Sequence, residues 1–287
     1  MPPRHNPGRH PNPPDRPNRT RAPETDDSLD PVPTTHPRCQ KEKAFTVNHH
    51  PSTPPELIAP RYLAGPDTTA TKTLIQHLRD HGWRAEPQGA TLVLSHREPG
   101  GLLEALHTPD NTHTPRGKHP VPSWEFTARP GPGEPAVWTV RFGPHTPPEL
   151  PATLTTALTG SKGATGTDGR PHYLHPAGHP KEATTLLSAA GWIWIRDLGR
   201  DASAWYSPDE QAIVVSPPTG EPEHDDGNWL LSVRRTTDNT TLWCATAHPR
   251  TPTHLMHALC QEIADPTPVP RRHSPGPETG PLTITRP

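Results

Sequence analysis

The strongest constraint on this chain is that it repeats itself. Residues 123–158 lie over residues 228–263 at a constant offset of 105, without a gap. Trp124 falls on Trp229, Arg129 on Arg234, Trp138 on Trp243 and Pro144 on Pro249. Thr146-Pro147 falls on Thr251-Pro252, Leu150 on Leu255 and Leu154 on Leu259. Matched tryptophans and a matched Thr-Pro pair make chance a poor explanation. Upstream, Gly82-Trp83 matches Gly191-Trp192 and Tyr62-Leu63 matches Tyr173-Leu174, at offsets of 109 and 111. A slowly drifting offset with an unchanged order of landmarks marks a tandem duplication with short insertions.

Each landmark has a local physical meaning. Leu74, Ile75 and Leu78 in the first copy, and Leu186, Leu187 and Ala190 in the second, form apolar stripes at helical spacing. Gly82 and Gly191 follow directly, where a helix end wants a residue that accepts the left-handed conformation. Trp124, Phe126 and Ala128 then alternate with polar neighbours, as do Trp138, Val140 and Phe142. Trp229, Leu231 and Val233, then Trp243, Ala245 and Ala247, repeat the pattern. Period two with one polar face predicts half-buried antiparallel strands. Thr146-Pro147, with Glu149 three residues after the threonine, predicts a capping box that opens a last helix. Leu150, Leu154 and Leu158 share one face of it, matched by Leu255, Leu259 and Ile263.

The predicted fold class is therefore α+β: two tandem repeats, each an antiparallel sheet with helices packed on it. The first repeat module is expected at 56–160 and the second at 171–265, joined by a Gly-rich linker at 161–170. Duplicates are expected to pack about a pseudo-twofold axis, with continuous or facing sheets. Outside them, proline dominates. Residues 1–60 hold 15 of the 45 prolines and residues 266–287 hold seven, while all eight tryptophans lie between Trp83 and Trp243. Segments that cannot bury apolar surface do not fold, so 1–55 and 266–287 are expected to be disordered tails.

The charge balance, 28 basic against 30 acidic side chains, supplies no global field for nucleic acid or membrane. Locally, Arg4, Arg9, Arg16, Arg19 and Arg21 make the first residues basic. Cys39, Cys244 and Cys260 are odd in number and lack CxxC spacing, which argues against a disulfide framework or a zinc knuckle. The N-terminus has no apolar signal region and no stretch reaches spanning length, so a cytoplasmic protein is expected.

Four groups of residues carry a resemblance: residues 60–65 (Pro-Arg-Tyr-Leu-Ala-Gly), the Gly-Trp after the first helix, Ser207-Pro208-Asp209 after an aromatic pair, and the Trp…Thr-Pro ending. Over residues 60–265 the chain resembles an actinomycete family of domains of unknown function, recognised by an SPDY-type motif and found in tandem copies. The resemblance implies a fold and no activity. Copy one departs from the pattern, with Ser95-His96-Arg97-Glu98 standing where copy two has Ser207-Pro208-Asp209-Glu210, so copy one is expected to have lost that turn's role.

No catalytic, cofactor or metal site is expected. Ser207-Pro208-Asp209 reads as a turn between two strands, since Pro and Asp are ordinary turn chemistry and no base is placed beside Ser207. The Gly-rich linker is not a phosphate loop, because Lys162 precedes Gly163 instead of following a glycine. His77 and His81, four apart on a helix, lack the glutamate of a zinc-protease helix and read as an exposed polar face. The pair His254 and His257, and the loop histidines His107, His113 and His119, read the same way. Glu221, Glu223, Asp225 and Asp226 read as a solvated acidic turn.

Trp194 and Trp205 have no aromatic partner in copy one, where Ala85 and Val93 fall opposite; they mark either a fuller core or a binding surface. The candidate binding residues are thus Trp194, Trp205, Ser207, Asp209, Arg129 and Arg234. Tryptophan-rich repeats without convergent catalytic groups point to a non-catalytic protein-interaction protein with an unknown protein partner. The alternative is a nucleic-acid-associated protein using the basic N-terminal arm with Arg129 and Arg234. An enzyme is the third reading.

Overall fold

The structure, a computed structural model, describes residues 54–109, 121–160, 165–166, 169–175, 178–197, 202–218, 227–272, 275 and 281–285. The basic N-terminal arm, most of the 108–120 loop and the acidic segment at 221–226 lie outside the described residues.

The first helix, α1 (Thr68–Asp80), starts where Asp67 accepts hydrogen bonds from the N–H groups of Thr69 and Ala70 (2.7 and 3.0 Å). It ends as the sequence predicts. Gly82 takes φ +82°, its N–H donates to the Arg79 carbonyl and that of Trp83 to Leu78. Copy two repeats this at Gly191 (φ +78°), closing α3 (Pro180–Ala189).

After α1 come β2 (Arg84–Gln88), β3 (Thr91–Glu98), β4 (Gly101–His107), β5 (Trp124–Arg129) and β6 (Trp138–Phe142), then α2 (Glu149–Gly160). After α3 come β7 (Ile193–Asp197), β8 (Ala202–Tyr206), β9 (Ala212–Ser216), β10 (Trp229–Arg234) and β11 (Thr241–Ala247), then α4 (Thr253–Ala264). Each copy is thus helix, five antiparallel strands, helix.

The two sheets are one. The order is β2-β3-β4-β5-β6-β11-β10-β9-β8-β7, with β6 and β11 paired at the centre. There Arg141 faces Thr246, and these two positions are equivalent at the offset of 105. Phe142 faces Ala245 and Val140 faces Ala247, each pair being the other's image. The flanking hydrogen bonds, Gly143 N–H to the Cys244 carbonyl (2.8 Å) and His248 N–H to the Thr139 carbonyl (2.9 Å), are images as well. The pseudo-twofold axis runs through the Arg141–Thr246 pair, and the sheet is continuous across it.

The side chains that alternate inward, among them Phe126, Trp138, Phe142, Leu231 and Val233, join Leu74, Leu154, Leu187 and Leu259 of the helices in one core spanning both copies. The helices therefore share one face of the sheet. α2 packs on α4 across the axis and α3 packs on α4, whereas α1 touches α2 only sparsely. A groove of about 520 Å³ separates them, lined by Ala70, Thr73, His77, Ala152 and Thr156 among others.

Two expectations are corrected. The segment at 266–287 is not wholly a tail. β12 (Val269–Arg271) and β13 (Thr283–Thr285) flank β1 (Glu56–Ala59) in a second, three-stranded antiparallel sheet. Proline is tolerated there because Pro270 sits on an edge strand, and Arg271 ties the strand down. That guanidinium is 3% exposed and grips Glu149 with two bonds of 2.7 and 2.8 Å, while its Nε donates to the Ala64 carbonyl. The capping box is the second correction, and the same pair explains it. Glu149 is committed to Arg271, the Thr146 hydroxyl donates to the Gly143 carbonyl (2.8 Å), and α2 begins only at Glu149. Paired prolines before Glu149 delay the helix, and a buried bidentate ion pair outcompetes a backbone N–H for the carboxylate. Of the linker, the Gly166 N–H donates to the Arg170 carbonyl (2.9 Å) and the Gly169 N–H to the Gly166 carbonyl (3.0 Å).

Candidate functional site

The Ser-Pro-Asp turn joins β8 to β9, as the sequence predicts. Its serine is buried. The Ser207 hydroxyl donates to Asp209 Oδ1 (2.6 Å) and accepts the Ala212 N–H (2.9 Å). Asp209 also accepts the Gln211 N–H (3.2 Å) and side-chain amide (2.9 Å). Its fourth donor comes from far away. The Tyr62 hydroxyl reaches Asp209 Oδ2 at 2.7 Å. Burial pushes the Asp209 carboxyl up, but the bonds from Ser207, Tyr62 and Gln211 together outweigh it and hold the group below the usual carboxylate range. Burial, then the Asp209 contact, pushes the Tyr62 hydroxyl up, so it stays a donor.

Tyr62 belongs to the start of copy one, yet it seats on copy two. Its backbone carbonyl also accepts from the Trp243 indole N–H (2.8 Å). The neighbouring Arg61 pairs with Glu262 and with Asp265 (2.9 Å) around the end of α4. Tyr173 makes the reciprocal crossing: its carbonyl accepts from the Trp138 indole of copy one (2.7 Å). The two copies exchange their Tyr-Leu turns.

At the far end of Tyr173 the symmetry fails. The copy-one hairpin turns at Pro99-Gly100, and an offset of 109 places Glu98, Pro99 and Gly100 opposite Ser207, Pro208 and Asp209. The expected counterpart, Ser95-His96-Arg97-Glu98, lies instead inside β3, because copy one's hairpin is two residues longer. Gly100 supplies no carboxylate. The Tyr173 hydroxyl is buried without a partner among the described residues, against Gly101, whose missing Cβ would sit 2.3 Å from it. Burial pushes this hydroxyl's pKa up, with Glu98 adding to it.

Trp194 and Trp205 face each other across β7 and β8, but they do not form an exposed pair. Trp205 is buried in the core (9% exposed), in the place that Leu94 holds in copy one; Trp194, opposite Ala85, is 52% exposed. Arg129 and Arg234 do not converge either. They end β5 and β10, which run antiparallel with β6 and β11 between them, so they lie at opposite ends of the sheet. Arg129 is paired with Glu104 (3.0 Å), and Arg234 sits 6.0 Å from the centre of the Tyr206 ring.

The larger signal is on the sheet face opposite the helices. Register sets copy-one and copy-two positions side by side: Arg84 becomes Ile193, Glu86 becomes Ile195, Glu104 becomes Ile213 and Glu125 becomes Leu230. In copy one this face is laced by Arg141–Glu125 (2.7 Å) and Arg129–Glu104. In copy two the same positions are aliphatic, with Ile193 and Ile195 at 55% and 52% exposure. The repeat alignment contained this signal, but only strand register identifies which residues share the face.

Histidines gather in two places. The rings of His77 and His81 lie 4.1 Å apart, and those of His172 and His254 lie 4.4 Å apart. Burial, then the neighbouring His172 and His175, pushes His254 down to about 4. Among the described residues no three His, Cys, Asp or Glu side chains are placed to hold a metal ion, and no helix is long and apolar enough to cross a membrane.

The fold defines a tandem α+β repeat protein whose halves interlock through exchanged turns. Residues 98–164 and 206–269 both match the family model described as SPDY, a domain of unknown function (DUF317). The chain carries this domain twice. Each match begins at the turn just described, at Glu98 and Tyr206, and runs on through the last helix. No curated protein and no solved structure matches the chain.

Proposed function

We propose that this is a non-catalytic binding protein that presents the open sheet face of its second copy to a protein partner. The exchange of four charged positions for Ile193, Ile195, Ile213 and Leu230 carries this reading. Ile193 and Ile195 are exposed and Ile213 and Leu230 half-buried, and copy one folds with charges in their place. A partner supplies a reason to keep them apolar, since the centres of protein interfaces are depleted of charge. The Ser207 hydroxyl and the Asp209 carboxylate, the most reactive-looking groups in the sequence, are spent on holding Tyr62.

The test restores copy one's charges in copy two. Ile213→Glu with Leu230→Glu is expected to keep the wild-type circular dichroism and melting temperature but to lose a protein that the wild-type chain retains from a native lysate, quantified by mass spectrometry. Equal recovery by both chains, or recovery of nothing specific by the wild type, refutes the reading.

A further inference from the structure

The ten-stranded sheet has two edges, and they are built differently. β2 ends it with Arg84, Ala85, Glu86, Pro87 and Gln88, a strand blunted by charge and by a proline without an N–H. β7 ends it with Ile193, Trp194 and Ile195, all more than half exposed, and has its charges, Arg196 and Asp197, at its end only and no proline. Among the described residues nothing pairs with the outer side of β7. Proteins that stay monomeric rarely leave such an edge uncovered.

We infer that β7 pairs antiparallel with β7 of a second copy of this chain, about a twofold axis through Trp194. The occupant follows from the order of residues. Ile193-Trp194-Ile195 reads the same in both directions, and an antiparallel pair centred on Trp194 sets Trp194 against its own image and Ile193 against Ile195 of the partner subunit. On one face two indoles meet; on the other, two Ile–Ile pairs meet. Cross-strand aromatic and β-branched pairs are the contacts that stabilise sheets best. Arg196 then falls opposite Trp192 of the partner subunit and not opposite another arginine, so no like charges face each other. Shifting the centre to Ile195 would keep one Ile–Ile pair instead of two and separate the indoles. An interface of this kind is isologous and closed, so it stops at two chains. It repeats between chains what β6 and β11 already do within one, and it brings the apolar face of each second copy up to the other. The edge and the face are separate surfaces, and this pairing does not require a partner on the face.

Sedimentation velocity of the full chain from about 1 to about 100 μM is expected to show a reversible shift from the mass of one chain to that of two, the range a short strand pair with a small interface reaches. Trp194→Lys sets two charges against each other at the axis and is expected to weaken the dimer at least ~10-fold. Trp194→Cys is expected to cross-link to itself with a short bis-maleimide, above the background of the native cysteines, whereas Ile193→Cys and Ile195→Cys cross-link best when mixed. Leu230→Glu, on the face and away from the edge, is expected to leave the dimer intact even if it abolishes partner binding. A chain monomeric at 100 μM overturns the proposal. So does a dimer indifferent to Trp194→Lys, a dimer broken by Leu230→Glu, or Trp194→Cys cross-linking no better than wild type.

Discussion

Tyr62 and Tyr173 occupy equivalent positions, cross the same axis in opposite directions and hand their carbonyls to equivalent tryptophans. They differ at one atom. The hydroxyl of Tyr62 meets a carboxylate that four donors satisfy, and that of Tyr173 meets the bare backbone of Gly101. The comparison separates what the Ser-Pro-Asp turn does from what the exchange of turns requires. The crossing survives without the turn's aspartate, so shape and the indole bond suffice to seat the tyrosine. The aspartate adds a polar lock to one of the two seats. A buried hydroxyl without a partner is a liability of about 1–3 kcal/mol, and it falls on the seat that copy one provides for Tyr173.

A second contrast sits at the head of the last helices, where Glu149 of copy one is equivalent to His254 of copy two. The first anchors β12 through Arg271; the second stays neutral beside His172. The largest effect is expected here. Glu149→Ala leaves Arg271 buried and unpaired, which should cost about 3–5 kcal/mol in urea unfolding; a loss below ~1 kcal/mol would mean that the guanidinium finds water instead. Next, Asp209→Ala orphans the donors of Ser207, Tyr62 and Gln211 at once, for about 2–4 kcal/mol.

Tyr62→Phe removes only the lock and should cost about 1.5–3 kcal/mol, the range for a bond to a charged acceptor. In a double-mutant cycle with Asp209→Asn the two should couple by ~1 kcal/mol or more; simple additivity would show that the 2.7 Å contact carries no energy. The smallest effect belongs to Tyr173→Phe, expected within about 0.5 kcal/mol of wild type or stabilising, since it deletes an unsatisfied group. If it proves as harmful as Tyr62→Phe, the asymmetry between the seats is wrong.

The acid response sharpens the second contrast. His254 titrates in the folded chain near 4, below the ordinary value of 6.5. The unfolded chain therefore binds the extra proton first, and stability should fall as pH drops from about 6.5 towards 4. His254→Asn should flatten that part of a stability–pH curve.

Much of this architecture was legible. Rare residues in register exposed the duplication, alternation fixed the strands, and glycine after each apolar stripe fixed the ends of α1 and α3, because those signals are local. The missed features depend on chain segments distant in sequence. An offset of 111 pairs Tyr62 with Tyr173 but does not say whose copy each seats on. Nothing within residues 266–287 advertises two strands, because their partner is β1, some two hundred residues away. Glu149 looked like a capping residue since local pattern has no knowledge of Arg271. Trp205 could be assigned to core or surface only once β8 had neighbours. The open face needed register across ten strands before four isolated substitutions became one surface.

The exchanged turns also impose a timetable. As the chain leaves the ribosome, copy one emerges first with the seat over Trp138 empty, since Tyr173 has yet to be made. Tyr62 waits longer, until residue 243 is out, and β1 waits for residues 269–285. No early half can finish on its own, and residues 269–285 close onto the first described strand. Contacts of such long separation slow the final step. A chain cut short before residue 243 is left with an open seat, and that is the surface a chaperone would meet.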